Sequence, residues 1–297
     1  MYRHDRALIL SGGGARGAYE IGVWRYLCEM KWRPDLVCGT SVGSINGAAI
    51  TAGLSLEDLI GLWMSIERGK VFRIPMLRRI LNFILRRRFV SYMDTRPLRS
   101  LLDLEIDVAE IRRSNIELVI SAINILSSEI VYFNNSSISI DHIMASSAIP
   151  ILFPWQYIDG VPYWDAGVMV NTPIAPAMER KVKEIIVVLL SPVGGGADLP
   201  LPKSQRGAIE RLFEHALIGS YEAFMSHLSE EQKGTGGQNV FFHEAPVREK
   251  SRIVTVAPGK MLGFHSMLDF TKKQSDELIH AGYEDARDQL TDFFKPG

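Results

Sequence analysis

The sequence predicts an α/β fold in which a central, mostly parallel sheet lies between two layers of helices. Two observations predict it. Short β-branched or aliphatic runs alternate along the chain with longer helical patterns. Glycine-rich turns stand where the first two of these strands hand over to the helices that follow. Residues 7–10 read as the first strand. Residues 15–30 read as a helix that keeps Ile21, Trp24, Tyr26, Leu27 and Met30 mostly on one side. Residues 35–38 form a second strand, and residues 44–52 a helix rich in small side chains. Ser55 followed by Asp58 has the spacing of a capping box, opening a helix over 56–68. Further strands are expected at 116–123, 130–133, 185–190 and 253–256. Residues 191–203, with their glycines and prolines, read as a loop, and 234–238 as another. Neither separates two complete sets of elements, so one domain over residues 1–297 is expected.

Bulk properties narrow the function. A composition of 46% hydrophobic and 23% charged residues is that of a globular protein with a large core. The formal net charge of -1 leaves no overall field to attract nucleic acid. Cys28 and Cys38 are too few for a disulfide scaffold and do not form a C-x-x-C pair, so no metal or redox centre is expected. The apolar stretch after the N-terminal charges is too short for a signal peptide, and no uninterrupted apolar run reaches bilayer length. A cytoplasmic location is expected.

Two glycine motifs carry the chemistry. Gly39-Thr40-Ser41-Val42-Gly43 follows a strand and precedes a small-residue helix, the layout that a G-x-S-x-G elbow requires. Such a turn presents the serine Oγ beside a helix N-terminus, and its glycines permit close backbone approach. An ordinary glycine turn with a helix-capping serine has the same letters. Gly12-Gly13-Gly14-Ala15-Arg16-Gly17 follows the first strand and satisfies G-x-G-x-x-G. A dinucleotide site would need an acidic residue at the end of the second strand, whereas Cys38 stands there and leads into the elbow. A phosphate-binding P-loop would need Gly-Lys-Ser/Thr, which is missing. The glycines suit an oxyanion hole better, with the amides of Gly13 and Gly14 as donors and Arg16 supporting the loop or the anion. Downstream, Trp164-Asp165-Ala166-Gly167 offers a carboxylate in a tight turn, a base or merely a cap.

Three motifs in this order resemble the patatin-like phospholipase family: the loop from Gly12 to Gly17, the elbow at Gly39, Ser41 and Gly43, and the turn at Asp165, Ala166 and Gly167. The run Met144-Ala145-Ser146-Ser147-Ala148-Ile149-Pro150 and the later Leu262-Gly263 and Gly282-Tyr283 are similar to family segments, so the likeness covers nearly the whole chain. The resemblance implies a three-layer fold related to those of α/β-hydrolases and malonyl-transferases. It implies a Ser41–Asp165 dyad that cleaves lipid acyl esters through an acyl-enzyme, without cofactor. The third motif departs from the family's usual pattern in having Ala166 where glycine is commoner. Alanine disfavours positive φ, so a somewhat different turn is expected there.

Rival readings remain at this level. A Ser-His-Asp esterase would use one of His215, His227, His243, His265 or His280. An acyltransferase would favour a histidine just before the serine, where Thr40 stands. A non-catalytic lipid-binding scaffold would have no need of both dyad residues. Finally, the segment from Arg73 to Phe89 holds six arginines and no acid, with Leu77, Ile80, Leu81 and Ile84 on one helical face. It suits peripheral contact with an anionic membrane, or equally an amphipathic helix covering the core.

Overall fold

The computed structural model describes residues 4–75, 91–193, 201–232, 251–260, 262 and 264–295. Among them, eight strands form one sheet: β1 (Arg6–Leu10), β2 (Leu36–Gly39), β3 (Glu117–Asn124), β4 (Glu129–Asn134), β5 (Gln156–Ile158), β6 (Val161–Asp165), β7 (Glu184–Val188) and β8 (Arg252–Val256). The strands β3, β2, β1, β7 and β8 lie side by side in that order and run parallel. The antiparallel strands β4, β5 and β6 extend the sheet beyond β3.

Alternation along the central strands explains the two helical layers. Leu8 and Leu10 of β1, with Ile186 and Val188 of β7, face one core cluster; Ala7, Ile9, Ile185 and Val187 face another. A strand buried on both faces carries no polar alternation, and β1 reads Ala-Leu-Ile-Leu accordingly. On the first face pack α1 (Ala18–Glu29), α2 (Val42–Thr51), α3 (Leu56–Ser65) and α4 (Arg96–Glu105). The short α5 (Ile140–Ser146) lies near them, and α7 (Lys272–Gln289) closes that layer against α1. On the second face, α6 (Gln205–Gln232) contributes Tyr221, whose hydroxyl shares a 2.6 Å hydrogen bond with Thr255 Oγ1 of β8. The α1–α7 contact is intimate because each helix has a glycine at the crossing. A Cβ on Gly22 would strike the Ile279 carbonyl, and one on Gly282 the Tyr19 carbonyl.

The sheet register decides where the chemistry sits. Gly39, at the end of β2, pairs with Ile120 of β3, while Asp165, at the end of β6, pairs with Ala122 of the same strand. β2 runs parallel and β6 antiparallel to β3, so their carboxyl ends meet. The pair β5–β6 is not foreseen from sequence because Pro162 lies within β6, and proline ordinarily argues against a strand. Its carbonyl nonetheless accepts a bond from the Ile125 amide. Ser55 caps the helix: the Asp58 amide donates to Ser55 Oγ at 3.0 Å, while the Ser55 hydroxyl donates to Asp58 Oδ2 at 2.7 Å. Most of the arginine-rich segment from Arg73 to Phe89 lies outside the described residues, as does the loop at 234–238. Among the described residues no helix is long and apolar enough to cross a membrane.

Candidate active site

The turn after β2 makes a backbone that few residues adopt. Ser41 has φ 56° and ψ -123°, and α2 begins at the next residue. The flanking glycines are required sterically. A Cβ on Gly39 would collide with the Gly43 carbonyl, and one on Gly43 with the Leu10 carbonyl. The strained residue is held from several directions. Its amide donates to Ser146 Oγ at 3.1 Å, and its carbonyl accepts from Ser44 Oγ at 2.6 Å. Ser147 Oγ donates to the same carbonyl at 3.4 Å. Thus the run 144–150 supports the elbow from behind, with α5 as its mount.

Asp165 meets Ser41 across the gap between β2 and β6. The Ser41 side chain lies beside the Asp165 carboxylate and favours its charged form, and the Gly167 amide donates to Asp165 Oδ1 at 2.7 Å. Asp165 is 4% exposed, and burial pushes its carboxyl up to about 6 against the lowering effect of Ser41 and the Gly167 amide. Ala166 is buried and opens a short 3₁₀ turn, and it is not among the residues with positive φ. Alanine therefore meets no positive-φ requirement at this position.

The glycine loop borders the same spot. Gly14 has φ +60°, and a Cβ on it would strike the Met267 carbonyl. Gly12 donates its amide to the Asn171 carbonyl at 3.1 Å, and Arg16 donates to the Gly13 carbonyl at 3.3 Å. Among the described residues no hydrogen bond within the protein takes up the amides of Gly13, Gly14 or Val42, the residue after Ser41. Gly17 lets the loop pack on Val42 and Trp63, and its carbonyl accepts from Asn46 Nδ2 at 3.0 Å. Arg16 is fully buried. It binds the Leu190 carbonyl at 3.1 Å, Ser191 Oγ at 3.0 Å, Ser266 Oγ at 2.8 Å, and the carboxylate of Glu214 on α6.

Three residues of this assembly carry no sequence signal of their own. Glu214 is one helical acid among several until Arg16 is seen against it. Asn171 ties the loop to α6, donating from Nδ2 to the carbonyls of Gly12 and Leu217, each at 3.1 Å. Its Oδ1 is buried and, among the described residues, has no hydrogen-bond partner. The Val42 amide is found only when the chain is folded around it.

Two cavities open onto Ser41, and Gly14, Ile149 and Met267 stand in the walls of both. The first runs between α2, α3 and α4 and is walled by residues such as Leu59, Trp63, Leu98 and Leu102. The second lies under α6 and holds Asp165 and Asn171 in its wall. Neither wall includes a histidine among the described residues; His243 lies outside them.

A family model described as "Patatin-like phospholipase" matches residues 8–178, a stretch that takes in the glycine loop, Ser41 and Asp165. The chain belongs to the patatin-like phospholipase family. It is accordingly an ester hydrolase by family. It is 26% identical over 258 residues to the cGAMP-activated phospholipase of Pseudomonas aeruginosa, covering 76% of this chain and 75% of that protein. Lysophospholipase NTE1 of Cryptococcus neoformans is 30% identical over 183 residues, which are 61% of this chain and only 11% of that far longer protein. The crystal structure of VipD from Legionella pneumophila is similar with a TM-score of 0.47 and 18% identity, over 97% of this chain and 67% of that one.

Proposed function

We propose that this patatin-like domain hydrolyses acyl esters of phospholipids through a covalent acyl-enzyme on Ser41, with Asp165 as its base. The observation that carries the proposal is the placement of Ser41 beside a buried carboxylate pushed up to about 6, both in the wall of one apolar cavity where a second cavity meets it. A carboxylate of ordinary acidity is a poor proton acceptor; burial raises its basicity toward the range where general-base catalysis works. Ser41 Oγ adds to the ester carbonyl carbon while its proton passes to Asp165, and the carbonyl π electrons become the oxyanion. The amides of Gly13 and Gly14 are the assigned donors to that oxygen, joined by that of Val42, the position that completes oxyanion holes at other serine elbows. Collapse breaks the bond to the leaving alcohol, which takes the proton from Asp165. Water then repeats the sequence on the acyl-enzyme and releases the fatty acid.

Arg16 acts in this scheme by fixing the loop, since its guanidinium is spent on Glu214, Ser191, Ser266 and the Leu190 carbonyl. The names of the relatives, phospholipase and lysophospholipase, support a lipid ester as substrate. The arginines from Arg73 to Arg88 would supply peripheral contact with anionic lipid for a cytoplasmic enzyme. The test is intact-protein mass spectrometry after exposure to a fluorophosphonate. One adduct is expected on the parent and none on Ser41→Ala, with the melting temperature of the variant nearly unchanged. An adduct that persists in Ser41→Ala, for instance on Ser147, overturns the assignment.

A further inference from the structure

The two cavities at Ser41 differ in one respect that assigns them. Asp165 stands in the wall of the second cavity and not in that of the first. In the proposed reaction Asp165 returns its proton to the departing alcohol oxygen, so the alcohol must leave on the side of Asp165. The first cavity, which lacks the carboxylate, then receives the acyl chain that becomes bonded to Ser41.

The chemistry of the second cavity therefore describes the alcohol. Among the described residues, apart from Ser41, Asp165 and Asn171, its wall is hydrocarbon and glycine: Val168 and Pro150 on one side, Leu212, Phe213 and Leu217 of α6 on the other, and Met267 between. Leu212 and Val168 are 68% and 51% exposed, so the apolar wall continues to the surface. A glycerophosphoryl alcohol with a free hydroxyl would gain nothing from such a wall and would lose water on entering it. An alcohol that carries a second hydrocarbon chain close to the ester would bury that chain there.

We infer that the second cavity holds the other acyl chain of a two-chain glycerolipid, so that diacyl lipids are favoured over their lyso forms. The inference rests on the proposed Ser41–Asp165 mechanism. It also assigns specificity-determining roles to Val168 and Leu212, which lie away from the bonds that change.

Soluble short-chain substrates test it without a membrane surface. The kcat/KM of the intact chain would be measured for dihexanoyl- and monohexanoyl-glycerophosphocholine below the concentration at which either aggregates. The diacyl compound is expected to be favoured by about tenfold or more, since each buried methylene is worth roughly a factor of four. Shortening only the retained chain to butanoyl should remove about tenfold of that advantage. The exposed substitutions Val168→Thr and Leu212→Asn, combined, should shrink the diacyl-to-monoacyl ratio about threefold to tenfold. A parallel variant in the first cavity, Leu62→Asn, should lower both substrates together and leave the ratio in place. Equal rates on the two substrates, or a ratio indifferent to the Val168 and Leu212 changes, would overturn the inference while fluorophosphonate labelling of Ser41 still stood. Loss of that labelling would overturn both it and the mechanism beneath it.

Discussion

At the scale of single residues, burial makes Asp165 both reactive and destabilising. Its carboxyl is pushed from an ordinary 3.8 up to about 6, so the folded protein prefers it protonated. The sign follows from that direction. The group's contribution to stability is present in full at low pH and is lost as pH rises through about 6. Above that point the fold carries a buried charge at an expense of up to about 3 kcal/mol, at roughly 1.4 kcal/mol for each pH unit of the shift. Asp165→Asn keeps an oxygen for the Gly167 amide and removes the charge. It should therefore raise the melting temperature at about pH 8, change it little at about pH 3.5, below the unfolded value, and reduce turnover by orders of magnitude. Thermal melts of both proteins at the two pH values check this; equal melting differences at both would contradict the burial argument. The three motifs that hold Ser41, Asp165 and the glycines are legible in the sequence because each demands a residue type for a local reason. Asn171 and Glu214 are not, because their roles exist only through partners that are 159 and 198 positions away.

At the scale of elements, the glycines separate into those that a packed backbone requires and those that space leaves free. Gly14 has positive φ and lies against the Met267 carbonyl, whereas Gly61 of α3 has nothing within 4 Å of the position of a Cβ. Gly14→Ala is expected to cost about 2 kcal/mol or more and to shift the loop that borders Ser41, lowering kcat by about tenfold to a hundredfold. Gly61→Ala is expected to stabilise by about 0.5–1 kcal/mol without changing activity, since alanine limits the unfolded chain in a helix interior. Urea unfolding and steady-state rates on the two variants distinguish them; equal effects would contradict the close approach at Gly14. The strands of the parallel block are found in the sequence within a residue or two, because burial on both faces makes them continuous apolar runs. The strand that delivers Asp165 is missed for the opposite reason: β6 is short, contains Pro162 and gains its structure from pairing with β3 and β5. The turn around Ser41 is found, but α2 begins two residues earlier than its small-residue run suggests, directly after the strained serine.

At the scale of the molecule, β3 acts as a common reference for the two halves of the proposed dyad. Residues 41 and 165 are far apart in the chain, yet β2 and β6 end against β3 at Ile120 and Ala122. The layers then divide the labour. The helices beside Ser41 enclose the cavity assigned to the bonded acyl chain, while α6, on the other face, roofs the cavity that holds Asp165, the proposed base. The polar ties from Arg16 to Glu214 and from Asn171 to the Leu217 carbonyl join that roof to the glycine loop. Fold class and motif order can be read before folding, because they depend on local pattern; the division of the site into two apolar rooms depends on packing and cannot. In the proposed mechanism Asp165, and no histidine, activates Ser41. The measurement that tests it most directly is the second-order rate of fluorophosphonate labelling as pH is raised from acid to mild alkali. Labelling of the parent should rise through an inflection near 6, where Asp165 ionises. The rate should collapse in Asp165→Asn and persist in each histidine-to-alanine variant. Labelling of Asp165→Asn at the parental rate, or an inflection that disappears with a single histidine, would contradict the account.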